Sequence, residues 1–120
     1  MKPRIENTNF GSITINGTVF EHDVIIQLNG RVKKREKELS KAIFGTSHVL
    51  SLDEARYIYD ERAKRVIIGS GQHGLLKLSN EANDYFRQNN CRVELLPTQK
   101  AIRLWNESSG AEIGLFHVTC

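Results

Sequence analysis

Cysteine and proline are scarce in this sequence, with two of each in 120 residues. A secreted domain this small ordinarily carries about four or more cysteines, so Cys91 and Cys120 point to the reducing cytoplasm. There is no C-x-x-C. The four histidines, His22, His48, His73 and His117, stand about 25 to 45 residues apart, with no H-x-x-H or H-E-x-x-H pair. That spacing offers no set of metal ligands on one helix, and no motif calls for a cofactor. No apolar run approaches the eighteen or so residues of a membrane span. Met1 to Glu6 is basic but leads into no apolar stretch, so a signal peptide is not expected. Repeats, low-complexity tracts and long linkers are missing too, and the expectation is one domain over residues 1–120.

What is present is ordinary globular material, 39% hydrophobic and 26% charged. At this length folding hides roughly two-thirds of the surface that the unfolded chain exposes, enough for a core without bridges or metal. The charge is unevenly spread. Of 17 basic and 14 acidic residues, six basic (Arg31, Lys33, Lys34, Arg35, Lys37, Lys41) and two acidic (Glu36, Glu38) fall within Arg31–Lys41, a local +4. The remainder is 11 against 12. Such a tract is either a solvated turn and helix face or a surface for an acidic partner or phosphate groups. No aromatic interleaves it before Phe44 and no recognition-helix pattern follows, so nothing favours nucleic acid. Arg31, Lys33, Lys34 and Arg35 are the candidate partner-binding residues.

The first third reads as antiparallel β. Ser12–Ile15 alternates, Asn16-Gly17 is a hairpin turn, and Thr18–Phe20 returns. Asp23 to Leu28 is a further strand, and Asn29-Gly30 turns the chain into a polar stretch over 31–35. Leu39, Ala42 and Ile43 have the spacing of a short helix's inner face, ending at Gly45. From Ser51 the period changes. Ser51 with Glu54 makes a capping box ahead of a helix with Leu52, Ala55, Ile58 and Tyr59 inward. Val66-Ile67-Ile68 reads as a strand buried on both faces. Ser79 caps a second such helix, Arg92–Leu96 is a strand, and Thr98 is placed at the cap of a third helix with Ala101, Ile102 and Trp105 inward. Glu112 to Cys120 is the last strand. The order is a β-rich start followed by α-β-α-β-α-β, an α/β domain of three layers whose hairpin either extends the sheet or packs beside it.

Gly69-Ser70-Gly71-Gln72-His73-Gly74 matches G-x-G-x-x-G after a strand. It fails as a dinucleotide loop, because Leu75–Leu78 intervenes before the helix and Glu94 lies inside the next strand. Its position is still of interest. If the strands at Val66 and Val93 are parallel neighbours, this loop and the Pro97-Thr98 turn both lie beyond strand carboxyl ends, where open α/β sheets place ligands. Gly69, Ser70, Gly71, Gln72 and Thr98 are then candidate ligand-binding residues, with amides and a helix start able to hold an anion. The alternative is a sharp turn and a cap. His117 and Cys120 suggest a base and a thiol, but residues three apart in a strand point to opposite faces. No catalytic set is identified. Asn106 borders the buried stripe of the third helix, so its amide is expected to bond loop backbone and touch no ligand.

Gly114-Leu115-Phe116-His117-Val118-Thr119-Cys120, Val66 to Gly71, and Leu96-Pro97-Thr98 through Ala101 to Trp105-Asn106 together resemble the Mth-domain family. That family includes the adipogenesis-associated Mth-domain-containing protein of animals and, more distantly, a mitochondrial assembly factor for respiratory complex I. The resemblance runs over nearly the whole chain. It implies a mixed central sheet with helices and an N-terminal antiparallel β-hairpin layer, no catalytic residues, and roles in assembly or regulation. Gly69, Gly71, Thr98 and Asn106 fall on positions that many members share. Members often carry tryptophan in the segment matching Lys33-Lys34-Arg35, and none stands there in this chain. A mitochondrial presequence is not expected from the N-terminal residues, and neither is a complex I role. The leading expectation is a cytoplasmic, non-catalytic interaction protein with an acidic partner. The second is a small-ligand protein or enzyme using the glycine loop and Thr98.

Overall fold

A computed structural model describes residues 2–120. The chain runs β1 (Ile5–Asn9), β2 (Ser12–Ile15), β3 (Thr18–Phe20), β4 (Val24–Ile26), β5 (Val32–Lys34), α1 (Glu38–Phe44), β6 (Val49–Leu50), α2 (Leu52–Ile58), β7 (Arg65–Ser70), β8 (Lys77–Leu78), α3 (Asn80–Gln88), β9 (Arg92–Leu96), α4 (Thr98–Glu107) and β10 (Glu112–His117). The central sheet has five strands in the order β5-β4-β10-β7-β9. β10 pairs antiparallel with β4 and parallel with β7, and β7 is parallel to β9, so the sheet is mixed.

Alternation along these buried strands sorts side chains to two cores. Ile25, Val66, Ile68, Ile113 and Leu115 face α2 and α3, where they meet Ala55, Ile58, Ala82 and Phe86. Val24, Ile26, Ile67 and Phe116 face the other way, onto Ile5, Ile13 and Ile15 of β1 and β2 and onto Ala101, Ile102 and Trp105 of α4. The hairpin therefore does not extend the central sheet. It forms a separate three-stranded sheet, β1-β2-β3, in the layer that α4 shares. The domain is α/β with three layers, as its sequence pattern implies.

Several local readings need correction. β1 lies where no strand was expected, because its Glu6, Asn7 and Asn9 mask the alternation that Ile5 begins; pairing to β2 makes it a strand. The polar stretch over 31–35 is β5, held by pairs of Val32, Lys33 and Lys34 with β4. Ile43, expected inward, is 59% exposed, and so is much of Phe44. α1 is only two turns long and turns Ser40, not Ile43, into the protein. Ser51 does cap α2 by accepting from the Glu54 amide at 3.1 Å. The reciprocal half of the capping box is absent, since the Glu54 carboxylate is engaged by Arg35.

The N-terminal strand is fastened to α4 by polar side chains. Trp105 Nε1 donates to the Pro3 carbonyl at 2.9 Å, and Lys2 Nζ donates to the Trp105 carbonyl at 2.6 Å and pairs with Glu112. Asn106 completes the seam. Its Oδ1 accepts from the Ile5 amide at 3.0 Å and its Nδ2 donates to the Ile5 carbonyl at 2.7 Å, so one side chain imitates a neighbouring strand. Replacing Asn106 with Ala strands both backbone groups, and we expect a loss of about 1–3 kcal/mol in urea unfolding. Unchanged stability would contradict this role.

Candidate functional site

The strand registers line up four residues at one end of the central sheet. Val24 is opposite Lys34 on β5 and opposite Phe116 on β10, so the next step along sets Asp23 beside Arg35 on one side and His117 on the other. His117 is in turn opposite Ser70 of β7. The row Arg35, Asp23, His117, Ser70 thus lies at the carboxyl ends of the parallel strands β7 and β10, the sheet edge at which α/β folds place ligands.

Three of these residues form a hydrogen-bonded chain of polar side chains that α2 completes. Arg35 is 3% exposed. Its Nε and Nη2 donate to the two oxygens of Glu54 at 2.6 and 3.0 Å, a bidentate pair on a carboxylate with no exposed surface. Nη1 donates to Asp23 Oδ2 at 2.9 Å and Nη2 also reaches the Ser47 carbonyl at 2.8 Å. The hydroxyl of Ser40 donates to Glu54 as well. Asp23 Oδ2 accepts from His117 Nδ1 at 2.7 Å, and Oδ1 accepts from the Val118 amide at 2.8 Å. Burial opposes the charge on Asp23, yet the His117 ring, the Val118 amide and Arg35 together hold its carboxyl below the usual range. Burial likewise opposes the charge on Arg35, and Glu54 and Asp23 overcome it, raising its already high pKa.

His117 forms the floor of a cleft of about 350 Å3, whose walls include His22, Lys34, Lys37, His48 and Thr119. The His48 and His117 rings meet edge to face with centroids 5.5 Å apart. No sequence signal announces this site, because Asp23 and His117 are 94 residues apart and only the antiparallel pairing of β4 with β10 joins them.

The glycine loop lies on the other side of β10's end, and its polar groups are already bonded within the chain. The Gly71 amide donates to Thr98 Oγ1 at 2.9 Å, and that hydroxyl donates to the His117 carbonyl at 2.7 Å. The Thr98 amide donates to the Gly71 carbonyl at 3.1 Å. Thr98 is therefore the first residue of α4, with Pro97 at the cap and no side-chain cap bond. Gln72 and His73 donate their amides to the carbonyls of Thr119 and Cys120 at 2.7 and 3.1 Å. The Gln72 side chain bridges Thr8 and Gln99. Ser70 is buried, and a Cβ on Gly69 would press on Thr98 Oγ1 at 2.9 Å. The structure thus brings Gly69, Ser70, Gly71, Gln72 and Thr98 together, and the Gly71 and Thr98 amides bond each other's residue, Gly71 to the Thr98 hydroxyl and Thr98 to the Gly71 carbonyl. These bonds lock α4 and residues 119 and 120 onto the sheet.

The cationic segment needs a correction too. Arg31 and Lys34 are exposed and Lys33 half-exposed, but Arg35 points inward and cannot meet a partner. Strand alternation explains the split, since Arg35 follows Lys34 on the opposite face. Lys33 Nζ donates to Tyr57 Oη at 3.1 Å and lies 5.4 Å from the centre of its ring. An aromatic side chain absent from the segment itself is thus supplied by α2. Cys91 and Cys120 are unpaired; burial pushes the Cys91 thiol up to about 11, which makes it unreactive.

The family described as "Protein of unknown function (DUF498/DUF598)" matches residues 5–112. The chain belongs to that family. Its structure is similar to that of a conserved hypothetical protein from Pyrococcus horikoshii, at 33% identity over 98% of this chain and 99% of the other, with a TM-score of 0.88. A second structure, named MT938, shares 32% identity over 99% of this chain and all (100%) of its own, with a TM-score of 0.83. A Mth938-like domain from Bordetella pertussis, 16% identical over 97% of this chain and 85% of its own, shares the fold with a TM-score of 0.62. No curated protein matches. Among the described residues no helix is long and apolar enough to cross a membrane.

Three outcomes test this geometry. Glu54→Gln leaves Arg35 half-paired in the interior, and urea unfolding should register a loss of about 3–5 kcal/mol. Gly71→Ala forces a φ of +106° on a residue with a Cβ, which would stand 2.2 Å from the Cys120 carbonyl carbon. A loss of at least about 1–3 kcal/mol is expected from the backbone conformation alone. Asp23 and Glu112, the latter opposed by burial but held down by Lys2, Ser108 and Arg65, both have lowered pKa values. Their contribution is therefore fully present above the ordinary carboxylate range and is lost as pH falls below about 4. Urea midpoints that stay level from pH 5 to well below that range would refute the assignment.

Proposed function

We propose that the chain is a non-catalytic binding module of the cytoplasm that takes an acidic segment of a partner protein along the β5 edge of its central sheet. The observation that carries this reading is the composition of that edge. β5 pairs on one side only, with β4. It presents Lys33 against the face of the 44%-exposed Tyr57, flanked by Arg31 and Lys34. Lysines alone on an edge strand serve to discourage pairing with other chains. An aromatic ring held beside them adds an apolar contact that an edge protected only by charge would not need. The local excess of positive charge sets the sign of the partner, and the assembly or regulatory roles implied by the Mth-domain resemblance agree with it. Arg35 supports this edge from beneath without taking part. Unpaired thiols and the small number of cysteines support the reducing compartment.

The test uses a glutamate-rich peptide carrying one apolar residue, titrated into the 15N-labelled protein. Amide shifts should change at Arg31 to Lys34 and at Tyr57, and affinity should fall as salt rises. Arg31→Glu with Lys33→Glu should weaken binding at least about tenfold. Shifts that map elsewhere, or binding indifferent to both substitutions, would sink the reading.

A further inference from the structure

The cleft above His117 does not require a protein partner, and its chemistry defines a ligand of a different kind. Its volume of about 350 Å3 is that of a small-molecule pocket. The ionised carboxylate of Asp23 only accepts, so the hydrogen bond at 2.7 Å places a proton on His117 Nδ1. In the neutral ring the lone pair then belongs to Nε2. The residue is 3% exposed, and its Nε2 has one partner, Thr119 Oγ1, at the long distance of 3.3 Å. When the ring carries this one proton, Nε2 is a poorly satisfied acceptor at the cleft floor. The walls carry the opposite requirement. Lys34 and Lys37 share these walls with Glu21 and Asp23, Arg35 divides its single charge between Asp23 and the buried Glu54, and His22 and His48 add further nitrogen atoms.

We propose that this cleft binds a small anion that also bears a hydroxyl group, the anion held by Lys34 and Lys37 and the hydroxyl donating to His117 Nε2. A simple anion without a donor meets a lone pair on the floor and gains only the lysines. A neutral polyol meets the histidine but leaves both cations unused. The combination engages both lysines and the histidine, and a site built to bond a hydroxyl discriminates strongly against analogues that lack it. This site shares only Lys34 with the partner-binding edge and holds whether or not that edge binds protein.

Three probes are titrated into the intact protein with 15N-labelled histidine: malate, glycerol 3-phosphate and succinate. The free protein should show His117 protonated at Nδ1, with Nε2 as acceptor. Malate or glycerol 3-phosphate should move the His117 Nε2 resonance, and which of the two binds tighter distinguishes a carboxylate from a phosphate ligand. Succinate, lacking the hydroxyl, should bind at least about tenfold more weakly than malate, a difference of about 1.4 kcal/mol. Lys37→Ala, an exposed position whose change leaves the core intact, should weaken the tighter anion several-fold, whereas Lys33→Glu should not. The proposal is overturned if neither hydroxylated anion moves His117, if succinate matches malate, if the proton resides on Nε2, or if Lys37→Ala binds as the wild type does.

Discussion

The guanidinium of Arg35 links two carboxylates that belong to different parts of the fold, Glu54 on α2 and Asp23 at the start of β4. A buried cation of this kind is stable only while both are present, since removing either leaves charge in a medium that cannot solvate it. Glu54 in turn draws in Ser40 of α1, and Asp23 draws in His117 and the Val118 amide at the end of β10. One side chain thereby sets the spacing among α1, α2 and three strands of the sheet. Apolar residues of similar volume would hold those elements together as well, but would leave no ionised aspartate to fix the histidine ring. The polar network therefore specifies an orientation that packing by itself would not.

β10 is the element through which this orientation reaches the rest of the molecule. It is buried along its whole length and pairs with β4 on one side and β7 on the other. Its end is gripped twice. Asp23 holds it from the β4 side, and the loop after β7 holds the residues that follow it through amides of Gln72 and His73. The hydroxyl of Thr98 sits between, accepting from Gly71 and donating to His117, so the start of α4 is fastened to the same row. Rigidity on the glycine side and an open cleft on the other are two consequences of one arrangement: amides that close the loop onto the chain are not free for ligand, whereas His117 Nε2 keeps only one long bond, to Thr119.

The layers were legible because they follow from periodicity. Ile67 between Val66 and Ile68 reads as a strand covered on both faces, and Ala101, Ile102 and Trp105 read as one buried helical stripe; each core cluster contains the side chains that those patterns assign to it. Asn106 was legible in part: an amide at the border of a buried stripe must find backbone to bond, but that backbone is strand β1 at Ile5 and not the loop expected. β1 and β5 were not, because polar residues dominate them and their strand character comes from neighbours. The charge of the 31–41 tract was visible, but not that Arg35 turns inward, which depends on where β5 begins and on a carboxylate 19 residues ahead.

Local pattern thus determined the class of fold, the cores and the caps at Ser51 and Ser79, because helix and strand periods and side-chain-to-amide bonds act over a few residues. Tertiary structure alone decided which groups meet at the end of the sheet. Asp23 and His117 are brought together by an antiparallel register that a shift of one residue would abolish, turning each side chain to the other face. The same register leaves Lys34 in solvent and buries Arg35. A linear sequence carries the charges, but strand pairing chooses their partners.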